Sequence, residues 1–214
     1  MAEGGGCSAE PRRTAVLAAI LAAGRGRRLG GRPKAELRLP EGTSFAGAIA
    51  QTCRAAGIER IVLVLGPGAA PPADALAVGI ELARNPEPER RGMLGSIQAA
   101  LAHPAARGSE ALLVWPVDCP RVPPAVVRAL LAAFAASGAP LVVPSHRGRR
   151  GHPALFAARL YPELRQAPAT EGARAVVRAH AAERLELAVD APEVLDDLDT
   201  PEDLARAGIR LPPG

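Results

Sequence analysis

The sequence predicts an α/β fold, a mostly parallel sheet with helices on both faces. Three observations predict it. Short apolar runs such as Arg60–Leu65 (RIVLVL) alternate with longer helical patterns over most of the chain. The runs are continuously apolar rather than alternating, as strands buried on both faces are. The first run also leads directly into a loop of glycine and arginine, the place where such sheets bind ligands.

In order, residues 15–21 read as a buried first strand. Residues 44–56 read as a helix with Ser44 as N-cap and Gly57 as its stop. Residues 60–65 and 79–83 are the second and third strands. A helix over 94–103 follows, with Gly95 and Ser96 near its opening, and then a fourth strand over 111–117. A helix with prolines at its entry covers 123–137. Strands are expected over 140–143, 152–156 and 185–189, with a helix over 172–182 between the last two. Thr200 caps a closing helix over 201–207 with Pro201 at its first position. The loops after strands one, three and four should carry the ligand.

The chain has 214 residues, which suits one domain, here placed at 14–210 behind a disordered tail of 1–13. Aromatics make up only 2%, so Leu, Val, Ile and Ala must fill the core. The net charge of +4 suits an anionic ligand. Nucleic acid fits poorly, because single-strand binders offer stacking aromatics. Cys7, Cys53 and Cys119 form no CxxC pattern, so neither a zinc site nor a disulfide framework is indicated, and a cytoplasmic setting fits. Arg12-Arg13 before the apolar run 15–23 has the look of a signal peptide. The run continues into the glycine loop, which argues against that. No stretch reaches the ~20 apolar residues that span a membrane.

The loop reads Leu21-Ala22-Ala23-Gly24-Arg25-Gly26-Arg27-Arg28-Leu29-Gly30-Gly31-Arg32-Pro33-Lys34. Its glycines permit unusual backbone angles and close approach of amides to a ligand. Its five cations face no acid within the loop. Amides and cations together suit a polyphosphate. The chain has 25 Arg and one Lys, and that Lys is Lys34. A compact ammonium is kept where arginine is otherwise the rule. Walker A fails, because Pro33 precedes Lys34 and Ala35 follows it. The dinucleotide fingerprint fails by one residue at Gly30, and no acid follows the second strand to hold a ribose.

Asp118 follows the fourth strand at its ligand-facing end. Two readings stand: a turn former, or a Mg²⁺ ligand, since Mg²⁺ takes oxygen ligands shared with phosphates and water. Asp196, Asp197, Asp199 and Asp203 crowd before and within the last helix, and Asp203 complements its dipole. Asn85 is the sole Asn, suited to a turn or to a ribose or base. Ser96 is either an N-cap or a nucleotide contact. His152, beside Arg149 and Arg150, and Arg174 are candidates for an acceptor. His103, His146 and His180 show no partner pattern.

With these residues in view, the chain resembles the molybdenum cofactor nucleotidyltransferases, over roughly 15–208. The opening LAAGRGRRLGGRPK is similar to their LAAGxSxRMGGxxK, with Gly26 for serine and Leu29 for methionine. NPEPERRGMLGS (85–96), PVDCP (116–120), GRRGHP (148–153) and DLDTPEDL (197–204) follow in the family's order. GRRGHP resembles the cytidylyl branch. Val117, Cys119 and the pair Ala169-Thr170 depart from the family pattern, which bears on the acceptor more than on the reaction.

The resemblance implies a three-layer Rossmann-like sandwich of the GT-A-like nucleotidyltransferase type. It implies transfer of a nucleoside monophosphate from an NTP, CTP in the cytidylyl branch, to a phosphate-bearing acceptor such as molybdopterin. The base would lie over Leu21, Ala22, Ala23 and Gly24, and the triphosphate along Gly24–Lys34 with Arg25, Gly26, Arg28 and Lys34. Asn85, Gly95 and Ser96 would join the nucleotide site. Asp118 and Asp199 would hold Mg²⁺, with Asp197 as the alternative to Asp199. Arg28 and Lys34 would offset charge at the phosphates, His152 and Arg174 would meet the acceptor, and a molybdoenzyme or its chaperone would be the protein partner. Rival readings are a guanylyl- or sugar-phosphate nucleotidyltransferase, an NADP-linked oxidoreductase, and a non-catalytic nucleotide-binding regulator.

Overall fold

The computed structural model describes residues 14–211, so the 1–13 tail lies outside the described residues. One sheet of eight strands runs through it. Its centre is β1 (Val16–Ala22), β2 (Arg60–Leu65), β3 (Glu81–Arg84) and β4 (Ala111–Pro116), all parallel in the order β3-β2-β1-β4. Beyond β4 come β5 (Leu141–His146), the short β6 (Arg149–Arg150), β7 (Ala154–Ala157) and β8 (Leu185–Ala188). β7 inserts antiparallel between β4 and β5, and β8 pairs β5 in parallel. The sheet is therefore mostly parallel, with β7 and β6 reversed.

Side-chain alternation splits the core into two layers. Ala18, Ile20 and Ala22 of β1 face one helix layer, whereas Leu17, Ala19 and Leu21 face the other. The first layer holds α1 (Phe45–Ala55), α2 (Ala73–Ala77) and α4 (Pro124–Ser137). The second holds α3 (Pro88–Ala102), α5 (Tyr161–Gln166) and α6 (Arg174–Ala179). The closing α7 (Pro201–Arg206) returns to the first layer through Leu204. Trp115 and Phe45 are fully buried, the largest such side chains in a mostly aliphatic core that also holds Phe156 and Tyr161.

The caps form as expected. The Ser44 hydroxyl accepts from Gly47 N at 2.9 Å, and Thr200 and Asp203 form a reciprocal capping box. Each such cap contributes about 1 kcal/mol. Four expectations need correction. The third strand starts at Glu81, because Gly79, at φ 79°, closes the α2 turn. α3 begins at Pro88 rather than Leu94, and Gly92 (φ 52°, ψ −142°) breaks its helical backbone. Ser96 therefore lies inside the helix and is not its N-cap. The helix expected over 172–182 is shorter, since Gly172 has a left-handed φ of 64° and His180 ends it. β6 was not expected: Arg147 and Gly148 both take positive φ, which turns β5 back on itself as a two-residue hairpin.

Among the described residues no helix is long and apolar enough to cross a membrane.

Candidate active site

The carboxyl ends of β1 and β4 lie side by side, with Leu21 opposite Pro116. The glycine and arginine loop leaves β1 there, and the turn carrying Asp118 leaves β4. Lys34 opens a short 3₁₀ turn (Lys34–Glu36) anchored by buried Ala35, so the loop's last residue folds back over the strand ends. Its ammonium meets Asp118 at 3.0 Å and Asp199 at 2.6 Å, and Arg28 also bonds Asp199.

Local bonds explain why these distant segments meet. The Leu198 N–H donates to the Asp118 carbonyl at 3.1 Å. The Cys119 thiol donates to the Asp196 carbonyl, and Arg121 binds the Asp196 carboxylate through two nitrogens at 2.8 and 2.9 Å. From below, the Trp115 indole N–H donates to the Cys119 carbonyl at 2.9 Å. The post-β4 turn and the 196–199 segment are thereby laced together, with Asp118 and Asp199 on the same ammonium.

The electrostatics follow from this packing. Burial works against the Lys34 ammonium, but the adjacent Asp118 and Asp199 carboxylates outweigh it and hold its pKa above the ordinary lysine value. The Lys34 hydrogen bond holds Asp199 below the usual carboxylate range. Burial, then repulsion by Asp118 and Asp199, pushes Asp197 up. Asp199 is the carboxylate that shares Lys34 with Asp118.

Two carboxylates already share one cation, and an all-oxygen donor set suits a hard divalent ion. Among the described residues, no three or more His, Cys, Asp and Glu side chains are arranged to hold a metal. Asp118 and Asp199 are the two carboxylates that meet at Lys34.

A cavity of about 530 Å³ opens at the β1 exit, lined by Ala22, Ala23, Gly24, Arg25 and Arg27 and by the segment after β2, with none of the acids or Lys34 in its wall. The N–H groups of Gly24, Arg25 and Gly26 form no hydrogen bond among the described residues. Gly26 adopts the left-handed conformation (φ 57°), so consecutive amides can turn toward an anion. Arg25 and Arg27 both meet Glu89 in the first turn of α3.

Asn85 is buried and fully occupied. Its carbonyl accepts from Glu87 N at 3.1 Å, while its amide donates to Ser96 Oγ at 3.1 Å and the Gly92 carbonyl at 3.4 Å. A Cβ on Gly95 would stand 2.7 Å from Arg91 Cβ and 2.9 Å from the Asn85 amide nitrogen. Asn85, Gly95 and Ser96 therefore fix the turn that presents Pro88 and Glu89. His152 precedes a cis Pro153, and its own N–H donates to Val194 O at 2.8 Å. Its Nδ1 is buried without a hydrogen-bond partner, and burial lowers its pKa against the pull of Asp118 and Asp197. Arg174 is exposed at the start of α6, and no contact ties it to Lys34 or Asp118. His103 accepts from Ala105 N, His146 bonds the Val189 carbonyl and His180 pairs with Glu163 and Glu183, so each has a partner that spacing did not reveal.

Sequence reasoning missed Glu89, Arg121 and the Gly66–Ala69 segment. The Gly-Pro-Gly after the RIVLVL strand was the available signal for the last.

A mostly parallel sheet with a glycine and arginine loop at its strand ends, and a separate Lys34–Asp118–Asp199 cluster there, fits a nucleotidyltransferase of the Rossmann-like type. Residues 18–185 match the MobA-like NTP transferase domain, and the chain belongs to that family. It is 37% identical over 144 residues, 67% of each chain, to a molybdenum cofactor guanylyltransferase of Acidiphilium cryptum (strain JF-5). The crystal structure of Rv0371c from Mycobacterium tuberculosis H37Rv is 28% identical, with a TM-score of 0.73 over 90% of this chain and 97% of that one. The manganese complex of Rv0371c aligns at 25% identity and TM-score 0.67, over 91% and 98%. The molybdopterin-guanine dinucleotide biosynthesis protein A of Archaeoglobus fulgidus, at 22% identity and TM-score 0.64 over 89% and 96%, shares the fold.

Proposed function

We propose that residues 14–210 act as one cytoplasmic transferase domain that moves a nucleoside monophosphate from an NTP to a phosphate of a molybdopterin-type acceptor. The observation that carries this reading is Lys34 held between Asp118 and Asp199 at the mouth of the glycine loop. The base enters the cavity beside Leu21–Gly24, and the amides of Gly24, Arg25 and Gly26 take the phosphates with Arg28 and Lys34. An acceptor phosphate oxygen attacks the α-phosphorus in line. A new P–O bond forms there, the bond to the β-phosphate oxygen breaks, and pyrophosphate leaves. The acceptor phosphate is already ionised near neutrality, so no general base is needed. Lys34 and Arg28 offset charge on the transferring and leaving phosphates, which is where such reactions gain most. Mg²⁺ on Asp118 and Asp199 would supply further positive charge at the phosphate oxygens; the manganese complex of Rv0371c supports a divalent ion in this fold. His152, whose pKa feels the Asp118 charge, and Arg174 at the start of α6 would meet the acceptor. A molybdoenzyme or its chaperone would receive the product.

CTP is the donor that GRRGHP favours. This motif supplies β6, sets Gly151 against the Val194 carbonyl and carries His152, whose pKa feels the Asp118 and Asp197 charges. GTP is the second reading, favoured by the guanylyltransferase of Acidiphilium cryptum. The test is pyrophosphate release from CTP, GTP, ATP and UTP with molybdopterin and with sugar phosphates, with Mg²⁺ and after chelation. Release from CTP with molybdopterin and Mg²⁺ is expected. Release from GTP alone would replace the donor, and none from any NTP would end the reading.

A further inference from the structure

The cavity that takes the base offers almost no side chain able to read one. Apart from Arg25 and Arg27, its walls are alanine, glycine and proline. Those two arginines sit at the phosphate end and meet Glu89. A base seated there meets backbone N–H and C=O groups, and its identity is read by where those groups stand. Residues 66–69, which follow β2, form the wall opposite the glycine loop.

That wall is held from the neighbouring strand. Register sets Ala22 of β1 against Leu65 of β2, and Leu65 against Arg84 of β3, so Arg84 stands level with the cavity. Arg84 Nη1 donates to the Gly66 carbonyl at 2.9 Å and to the Ala69 carbonyl at 2.5 Å, closing both ends of the segment. Between them Pro67 fixes its own φ. On the other side a Cβ at Gly66 would stand 3.0 Å from the Ala23 carbonyl, so the segment is pressed against the β1 exit. Arg84 itself does not line the cavity.

We propose that Arg84 is a positioning residue for base recognition: it holds the Gly66–Ala69 backbone in the one arrangement whose amides and carbonyls match the preferred base. The proposal rests on the transferase reading and deepens it. Base choice then lies in backbone geometry anchored from β3, and a change at Arg84 weakens the base contacts while leaving the phosphate contacts intact.

The test compares wild type, Arg84→Gln and Arg84→Lys in steady-state pyrophosphate release with CTP and with GTP. Inorganic tripolyphosphate, which carries no base, serves as competitive inhibitor, and thermal melting checks folding. Losing two hydrogen bonds should raise KM of Arg84→Gln for the preferred NTP roughly tenfold. Its kcat should stay within about twofold of wild type, because the reacting phosphates are held elsewhere. The preference between CTP and GTP should narrow, inhibition by tripolyphosphate should not change, and Arg84→Lys should recover part of the lost KM. Wild-type KM and preference in Arg84→Gln would overturn the proposal, as would a matching loss of tripolyphosphate inhibition. If Arg84→Gln fails to fold, the same readouts on Arg84→Lys decide, with a smaller KM rise expected. A wild type that releases no pyrophosphate from any NTP would instead overturn the transferase reading, and this proposal with it.

Discussion

Lys34 Nζ lies 3.0 Å from Asp118 Oδ2, although 84 positions separate the two in the chain. The contact joins two places in the sequence where composition departs from its surroundings. One is the single lysine of an arginine-rich chain, and the other an aspartate among apolar neighbours. Had the two stood on opposite faces, the phosphate loop and the acid would have been separate features. Placed together with Asp199, they make one charged centre at the strand ends.

That centre sets the first prediction. Lys34→Ala and Asp118→Ala should each lower kcat for pyrophosphate release by about 10²–10³-fold, the scale of losing one preorganised electrostatic contact to a transition state. Lys34→Ala also leaves Asp118 without its cation and Asp199 with Arg28 alone. It should therefore lower the melting temperature more at neutral pH than in acid, because Lys34 holds Asp199 below the usual carboxylate range and that stabilisation is lost as pH falls through the folded value. Unchanged turnover in Asp118→Ala would remove Asp118 from the metal site.

Glu89 sets the second. Its carboxylate pairs with Arg25 and Arg27, both of which line the cavity. On the proposed reading a triphosphate would compete with it for both. Glu89→Gln should therefore lower the KM for NTP by roughly two- to fivefold, the range for exposed ion pairs. The gain should shrink with added salt. Initial-rate measurements at two ionic strengths check this, and a higher KM in the variant would refute it.

Much of this was legible locally and much was not. The glycine loop declares itself because its glycines and five cations fall within fourteen consecutive residues. Asp118 is legible as an acid at the end of an apolar run. Asp199 came only through resemblance, since four aspartates crowd 196–203 and only the lacing of Leu198 to Asp118 decides which one meets Lys34. Glu89 and Arg84 were out of reach, because their partners are set by the register of β1, β2 and β3 and by the turn that Asn85 fixes. The start of α3 was misplaced for a local reason: Gly92 interrupts the helical period that would have extended it toward Pro88.

His180 gives a pH prediction. Its ring bridges Glu163 of α5 and Glu183 beyond α6, and the Glu163 hydrogen bond, with Glu183 adding to it, raises its pKa above the ordinary 6.5. A raised histidine stabilises the fold fully below its unfolded value, and the contribution fades as pH rises through the folded one. His180→Gln should therefore melt below wild type at pH 6, by at most about 1 kcal/mol for a surface pair. The two proteins should converge by about pH 8, once the histidine has titrated. A difference that does not vary with pH would point to packing instead of charge.

The last prediction concerns Gly26, where the resembling motif carries serine. Substitution with that serine looks like a return to the common pattern. In this chain Gly26 has φ 57°, and a Cβ there would lie 2.0 Å from the Arg32 carbonyl oxygen. The Gly26 carbonyl also accepts from Leu29 N and Gly31 N, at 2.8 and 3.0 Å, so the turn that carries Arg28 is built on this residue. A left-handed conformation costs an L-residue about 1–2 kcal/mol before any clash. The loop can relieve the overlap only by moving Arg32, two residues before Lys34. Gly26→Ser should therefore raise the KM for NTP by more than roughly tenfold, since about 1.4 kcal/mol already corresponds to that factor. It should also lower the melting temperature, by several degrees at about 2–4 °C per kcal/mol. Initial rates and a thermal melt test both, and wild-type values in each would mean that the loop adopts a different backbone from the one seen here.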